Sequence, residues 1–167
     1  MYDKLTRKDI EKMEAEIEHR KLVVRKEALE AVKEARAHGD LSENFEYHAA
    51  KKDKNQNESR IRYLEKMIKT AQVIDEESSV DEVGMNNTIV LYIEDEGITE
   101  EYKIVTTVRA DSLHGRISID SAIGKAVLGH HIGDHIYVEV NKDFGYYVVI
   151  REIRNTEDDG SDPIRRF

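Results

Sequence analysis

Residues 35–47 read ARAHGDLSENFEY and separate two long charged stretches that contain neither glycine nor proline. The stretch before them, residues 6–37, is rich in Glu, Lys, Arg, Ala and Leu, which are strong helix formers. Gly39 occupies the usual position of a residue that ends a helix. A second helix is predicted over residues 41–74. The sequence therefore predicts two helices joined by a tight turn, with a tip at residues 38–44.

Both predicted helices carry an apolar stripe with a spacing of three or four residues. The first stripe is Ile10, Met13, Ile17 and Val24, continued by Ala28, Ala31 and Ala35. The second is Ile61, Leu64, Ile68 and Ala71, preceded by the polar residues Lys54 and Asn57. Two such helices joined by a tight turn bury their stripes against each other. Residues 1–75 are thus predicted to form an antiparallel coiled-coil hairpin, with Thr6 as the N-cap of its first helix.

The hydrophobic pattern changes to a period of two after a short acidic linker at residues 76–82. Five segments are predicted strands: Thr88–Asp95, Glu100–Thr107, Gly115–Asp120, His135–Val140 and Gly145–Ile153. Ser121–Leu128 is a predicted short helix, which makes residues 83–154 a small α+β domain. Residues 155–167 are polar, contain the only proline, and are predicted to form a flexible tail. The fold class is therefore α+β, a helical hairpin followed by a small sheet domain.

Charge is distributed unevenly along the chain. Residues 1–75 hold 17 Lys and Arg against 16 Asp and Glu, whereas residues 76–167 hold 9 against 19. The acidic second half argues against general nucleic-acid binding there and favours a protein partner. Cysteine is absent, which excludes disulfides and thiolate metal sites and allows a reducing cytoplasm. Apolar runs fall short of the roughly 18 residues of a membrane span, so we expect no membrane association and a cytoplasmic location.

The tip has two interpretations from its residues alone. Asp40 and Glu43 are three residues apart at a predicted helix start, where Asp-x-x-Glu forms a capping box. On a helix the same two carboxylates share one face. Two carboxylates make a poor metal site unaided, but Mg²⁺ is usually held by one or two carboxylates together with phosphate and water. A tip inserted into another site would complete such a set.

Several segments resemble one family. The tip reads GDLSEN at residues 39–44, followed by EY at 46–47 and AAK at 49–51; further motifs are RIRYLE at 60–65, GRISIDS at 115–121 and GKAVLG at 124–129. In order and spacing, residues 5–153 resemble the bacterial Gre family of transcript cleavage factors. The resemblance implies a hairpin followed by an FKBP-like α+β domain that binds RNA polymerase.

The resemblance also implies a mechanism. The hairpin enters the secondary channel of bacterial RNA polymerase, where the 3′ end of backtracked RNA has been extruded. Asp40 helps to hold a second Mg²⁺ jointly with the polymerase, and Glu43 positions or activates the attacking water. This agrees with two-metal phosphodiester hydrolysis. Ser42, Asn44 and Tyr47 are supporting residues of the tip. The chain itself is then not an independent enzyme; free of polymerase, we expect a monomer without a bound cofactor.

The remaining site residues follow from the same resemblance. Lys51, Lys52 and Arg36 are predicted to contact the extruded RNA. The predicted polymerase-binding loop contains Asp120, Ser121 and Ile123, although Asp120 and Ser121 also suit the cap of a short helix. The family usually has proline where this chain has Ala122, and Ala122→Pro is expected to tighten polymerase binding about two- to fivefold.

The sequence leaves alternatives for the position of Phe45, for the function and for the Gre subtype. Phe45 stands where the family has a small residue; packing under the turn is favoured over stacking on a base. A regulator that occupies the same channel without cleavage is the main alternative function, and a coiled-coil chaperone or prolyl isomerase is a remote one. The motifs are divided between A-type and B-type Gre factors, which differ in the length of the cleaved fragment.

Overall fold

The computed structural model describes residues 3–39, 43–77 and 79–166 of the 167-residue chain. These residues form two compact units. One comprises Ile10–Ala71, and the other combines Asp3–Asp9 with residues 72–166. The α+β class is confirmed, and the boundary between the units differs slightly from the predicted one. Residues 3–9 and 72–75, assigned from sequence to the hairpin, belong with the sheet unit. Within this unit Lys4–Leu5 and Gln72–Val73 pair with each other as short parallel strands β1 and β2, and Asp9 contacts Thr106 and Arg109.

The first helical arm is continuous but not uniform. It consists of α1 (Arg7–His19), a π-helical stretch (Arg20–Val24) and α2 (Arg25–Arg36). Thr6 caps α1 as predicted, because its Oγ1 accepts a hydrogen bond from the amide of Asp9 at 3.1 Å. The Asp9 carboxylate accepts one in return from the Thr6 amide, also at 3.1 Å, which completes a reciprocal cap.

The return arm is α3 (Phe45–Thr70), and both apolar stripes and ion pairs join it to the first arm. Of the predicted stripes, Met13, Ala35, Ile61 and Leu64 are buried. Beside them Arg25 makes a two-pronged ion pair with Glu58, at 2.7 and 2.9 Å, and Arg60 lies 2.8 Å from Glu16. The hairpin thus combines a thin apolar seam with charged side chains that cross it.

The second unit is a five-stranded sheet with one helix on its core face. The remaining elements are β3 (Thr88–Ile93), β4 (Ile98–Val105), β5 (Arg116–Ser118), α4 (Ala122–Val127), β6 (His135–Glu139) and β7 (Gly145–Arg154). The strand order is β5-β4-β3-β7-β6, with β4 and β5 parallel and the other neighbours antiparallel. Each of these five strands lies within two residues of its predicted bounds. Alternating residues such as Ile89, Leu91, Val148 and Ile150 face the core.

Residues 155–166 differ from the predicted flexible tail, because they pack on the second unit. Asp158, Asp162 and Ile164 are buried. The amide of Arg165 donates to the carbonyl of Val108 at 2.7 Å, and the Thr156 hydroxyl donates to the carbonyl of Asn86 at 2.6 Å. Polar composition suggested a solvated segment, but these polar groups are matched by buried partners from distant parts of the chain.

Candidate functional site

The closed end of the hairpin is held by Asn44. Its Oδ1 accepts a hydrogen bond from the amide of Tyr47 at 3.0 Å and so caps α3. Its Nδ2 donates to the carbonyl of Ala35, near the end of α2, at 2.6 Å. One amide side chain therefore starts the second arm and ties it to the end of the first. Gly39, with φ at +132°, lies in the turn between them, in a conformation that favours glycine.

The observed cap corrects the predicted start of the second helix. The prediction placed this start at Leu41, with Asp40 as cap and Glu43 on the first turn. The helix begins instead at Phe45, and Glu43 lies in the turn before it. The described part of the tip therefore does not place Glu43 on a helical face. Asp40 and Ser42 lie outside the described residues.

One edge of the hairpin tip is positively charged. Nη2 of Arg36 donates to the Tyr47 hydroxyl at 3.4 Å, and its guanidinium carbon lies 5.5 Å from the centre of the Tyr47 ring. The hydrogen bond from Arg36 lowers the pKa of Tyr47, and the charges of Lys51 and Lys54 lower it further. Arg36, Tyr47, Lys51 and Lys54 form what we call the basic edge.

Lys52 does not belong to this edge. Successive residues of an α-helix point about 100° apart, so Lys52 leaves the face that Tyr47, Lys51 and Lys54 share. Lys54 is also a basic residue near the tip in the sequence, but it was not among the three predicted RNA contacts. The structure therefore places Arg36, Lys51 and Lys54 on one edge and Lys52 on another face of α3. Their contact with RNA stays a prediction.

The other edge of the tip is acidic. Nδ1 of His38 lies 3.1 Å from a carboxylate oxygen of Glu46. Together with Glu34 and Asp53, these side chains border an open groove whose floor includes alanines. The tip therefore presents opposite charges on its two edges.

Phe45 corrects another prediction. Packing under the turn was favoured, yet 87% of the residue is exposed. Phe45 is the first residue of α3, directly after the Asn44 cap. An aromatic ring so exposed is available to stack on another planar group.

The loop before α4 places its three candidate residues in different environments. Ser121 caps α4, accepting from the Gly124 amide at 3.0 Å and donating to the Ser118 carbonyl at 2.6 Å. The Asp120 side chain is 43% exposed, and its Oδ2 accepts a hydrogen bond from the Thr107 hydroxyl at 3.2 Å. Ile123 is half-buried and packs against the core. Asp120 is therefore the residue of this loop most open to a partner, whereas Ser121 and Ile123 hold the loop in place.

Gly124 explains how closely this loop and the helix approach each other. A Cβ atom built on Gly124 would lie 2.1 Å from the carbonyl oxygen of Ser118. Only glycine allows the first turn of α4 to pack against the end of β5, and this contact fixes where the loop emerges.

The comparison with known proteins gives two family matches in the order of the two units. Residues 4–73 match the family model for the N-terminal part of transcription elongation factors, and residues 77–155 match the GreA/GreB C-terminal model. The chain is 46% identical over 137 residues to the transcription elongation factor GreA of Thermoanaerobacter pseudethanolicus, across 81% of this chain and 87% of that one. It is 40% identical over 147 residues to GreA of Chloroherpeton thalassium, across 87% and 93%.

A solved structure is also similar. GreA factor homolog 1 of Thermus thermophilus is 25% identical and covers 93% of this chain and all of its own length, with a TM-score of 0.43. The two family matches and the identities to GreA proteins place the chain among transcription elongation factors. It belongs to the GreA/GreB family of these factors. No described helix is long and apolar enough to cross a membrane.

Proposed function

We propose that the chain inserts the closed end of its hairpin into the secondary channel of bacterial RNA polymerase and stimulates cleavage of the backtracked RNA 3′ end. The observation that supports this most directly is the position of Asn44. Because Asn44 ties the start of α3 to Ala35, the turn that carries Glu43 is fixed at the end of two long helices. A narrow helical hairpin can bring such a turn into a confined site.

The chemistry that we propose for the tip depends on residues of both proteins. Among the described residues, no three His, Asp or Glu side chains are grouped as a metal site would require. Glu43 is exposed, and its hard carboxylate oxygens suit Mg²⁺ chemistry. We propose that Asp40 holds a Mg²⁺ jointly with the polymerase, and that the ion would supply Lewis-acid stabilisation to the scissile phosphate. Glu43 then orients the attacking water and accepts its proton.

The basic edge provides a path for the extruded RNA. Arg36, Lys51 and Lys54 surround Tyr47 on one side of the tip, so their charges act on the same segment of phosphate backbone. Lys52, on a different face of the same helix, should contribute less. Exposed Phe45 lies at the start of this helix, where its ring can stack on an RNA base.

Binding to the polymerase is assigned to a different part of the chain. We propose that Asp120 contacts the rim of the channel while Ser121 and Ile123 hold the loop. Asp120 combines exposure with a fixed position, since Thr107 donates to its carboxylate. Loss of Asp120 should therefore weaken binding without changing cleavage once the polymerase is saturated.

The test is a cleavage assay on stalled, backtracked elongation complexes with end-labelled RNA. We expect wild-type protein to stimulate cleavage only when polymerase and Mg²⁺ are present. Asp40→Asn and Glu43→Gln should each remove most of the stimulation while polymerase binding stays nearly intact. Full stimulation by either variant at saturation would refute its role. If wild-type protein bound polymerase but stimulated no cleavage, the non-cleaving regulator would be the better description.

A matched pair of lysine variants tests the RNA path. Lys51→Ala should raise the concentration of factor needed for half-maximal cleavage, and this effect should diminish at high salt. Lys52→Ala removes an equal charge from the neighbouring residue and should have a smaller effect. Equal effects would show that general positive charge, rather than the basic edge, attracts the RNA.

The cleavage subtype follows from a second assay. The relatives described above bear the name GreA, and this favours an A-type factor. Complexes backtracked by different distances would reveal which fragment lengths this chain releases. A preference for long fragments would instead indicate a B-type factor.

A further inference from the structure

The family match ends at residue 155, but the ordered structure of the second unit does not. Residues 156–166, here called the C-terminal strap, continue across this unit and bury two carboxylates, Asp158 and Asp162. Both carboxylates lie near Arg109, which is 1% exposed. A buried guanidinium requires partners for its charge and its donors, because an unpaired buried charge is strongly destabilising.

Each of the three guanidinium nitrogens of Arg109 has such a partner. Nε lies 2.7 Å from Asp9 Oδ1, Nη1 lies 3.3 Å from Asp162 Oδ2, and Nη2 donates to Asn86 Oδ1 at 2.7 Å. Asp158 is 3.8 Å from Nε. The strap therefore contributes two of the three carboxylates around this arginine.

The strap makes a second contact beside Arg109. The amide of Arg165 donates to the carbonyl of Val108 at 2.7 Å. Val108 and Arg109 both belong to one short 3₁₀ turn, Thr107–Arg109. Asp162 holds this turn by a side chain and Arg165 holds it by its backbone, so the strap fixes two of its three residues.

The remaining residue of this turn, Thr107, contacts the polymerase-binding loop. The Thr107 hydroxyl lies 2.6 Å from the Ser118 hydroxyl and donates to Asp120 at 3.2 Å. A shift of the turn would therefore move the hydrogen-bond donor to Asp120 Oδ2, whereas Oδ1 of the same carboxylate lies 3.8 Å from Nζ of Lys4. Asp120 itself is partly exposed and needs such a constraint to keep one orientation.

We propose that the C-terminal strap positions Asp120 for polymerase binding, with Asp162 and Arg109 as positioning residues that act through Thr107. This inference rests on the proposed function, in which Asp120 contacts the polymerase. The strap lies beyond residue 155, where the family match ends.

The variant that tests the proposal is Asp162→Asn, which keeps the size of the side chain and removes its charge. Asp159→Asn is its matched control, because Asp159 lies in the same strap but is exposed and its carboxylate contacts Ser161. We expect Asp162→Asn to weaken binding to purified RNA polymerase about three- to tenfold, the range for loss of one positioning hydrogen bond. Asp159→Asn should bind as wild type does, and cleavage at saturation should be unchanged in both.

A double-mutant cycle separates positioning from general stability. In an Asp120→Ala background, Asp162→Asn should change the affinity less than about twofold, because the group it positions is gone. An equal loss in both backgrounds would overturn the proposal, as would wild-type affinity of a folded Asp162→Asn protein. If Asp162→Asn does not fold, Arg165→Pro, which removes the donor to Val108 together with the arginine side chain, is placed in the same cycle with the same criteria.

A measurement on the free protein distinguishes this proposal from the proposed function. The amide NMR signals of Thr107 and Asp120 should shift in Asp162→Asn and remain in place in Asp159→Asn. Unchanged signals would refute the positioning role whatever the polymerase does. Failure of wild-type protein to bind polymerase would instead refute the proposed function.

Discussion

Proline at position 122 should stabilise this protein, and the structure supplies the reasons. Ala122 is the first residue of α4, where proline is favoured because its missing amide proton has no helical partner. The residue before it, Ser121, has φ −69° and ψ 163°, the extended conformation that a following proline requires. The hydrogen bonds that close this loop use Ser121 and Gly124 and not the Ala122 amide.

The magnitude follows from the unfolded chain. A proline that fits its native conformation raises the free energy of unfolding by about 0.4–1 kcal/mol, since it restricts the unfolded state. For a chain of this size that corresponds to a rise in Tm of about 1–4 °C. The affinity for polymerase should change less than the two- to fivefold expected from sequence. The Ser121 cap and the Thr107–Asp120 hydrogen bond already order the loop, so little backbone freedom remains to be removed.

Thermal unfolding and a polymerase titration together test this reasoning. Ala122→Pro should unfold at higher temperature than wild type and bind with an affinity within about twofold of it. Ala126→Pro is the control, because the same substitution inside α4 removes a helical donor and costs about 3 kcal/mol. A lower Tm for Ala122→Pro would show that the start of α4 has a different geometry. A gain in affinity of fivefold or more would show that the free loop is less ordered than its hydrogen bonds indicate.

Three further predictions concern single residues. Phe45→Ala should leave Tm unchanged, because the ring is exposed, and should weaken factor-dependent cleavage at subsaturating concentration by about 1 kcal/mol or more through lost stacking; equal half-maximal concentrations would contradict this. Burial raises the pKa of Glu16, but hydrogen bonds and charges from Arg60 and a second arginine outweigh it and hold the pKa below its usual 4.5. Because the pKa is lowered in the folded state, ionised Glu16 stabilises the fold above pH 4.5, and this stability is lost as the pH falls through the folded-state pKa. Glu16→Gln should therefore make Tm fall less steeply with decreasing pH on the acid side. An acid-side slope of Tm against pH equal to that of wild type would refute this. Gly124→Ala should reduce the free energy of unfolding by about 1–3 kcal/mol, because its Cβ would meet the Ser118 carbonyl; wild-type stability in chemical denaturation would contradict the close approach.

Local sequence patterns determined most of the architecture. The two apolar stripes and the absence of glycine and proline over residues 6–37 predicted the hairpin, because helical periodicity and propensity act over neighbouring residues. The same reasoning located the five strands and the short helix after Ser121. The assignment of Arg36 and Lys51 to one candidate site came instead from the resemblance to the Gre family.

The tertiary structure decided features that depend on partners far apart in the chain. The start of α3 is an example, since Asp40 and Asn44 are both acceptable caps by local rules. Asn44 also reaches the carbonyl of Ala35 across the turn, an advantage that no local pattern reveals. The π-helical stretch is similar, because the carbonyl of Arg20 there accepts a hydrogen bond from Asn57 of the other arm at 3.3 Å.

The C-terminal strap shows this division most clearly. By composition, residues 155–167 are a solvated polar tail, and Arg109 is an ordinary charged residue. Packed together, Arg109 and the strap carboxylates satisfy one another in the interior, at a separation of 53 positions between Arg109 and Asp162. A buried charge is tolerated only when its partners arrive from elsewhere in the fold. Sequence therefore determined the elements and the location of the tip, whereas the tertiary structure decided which polar groups are buried together.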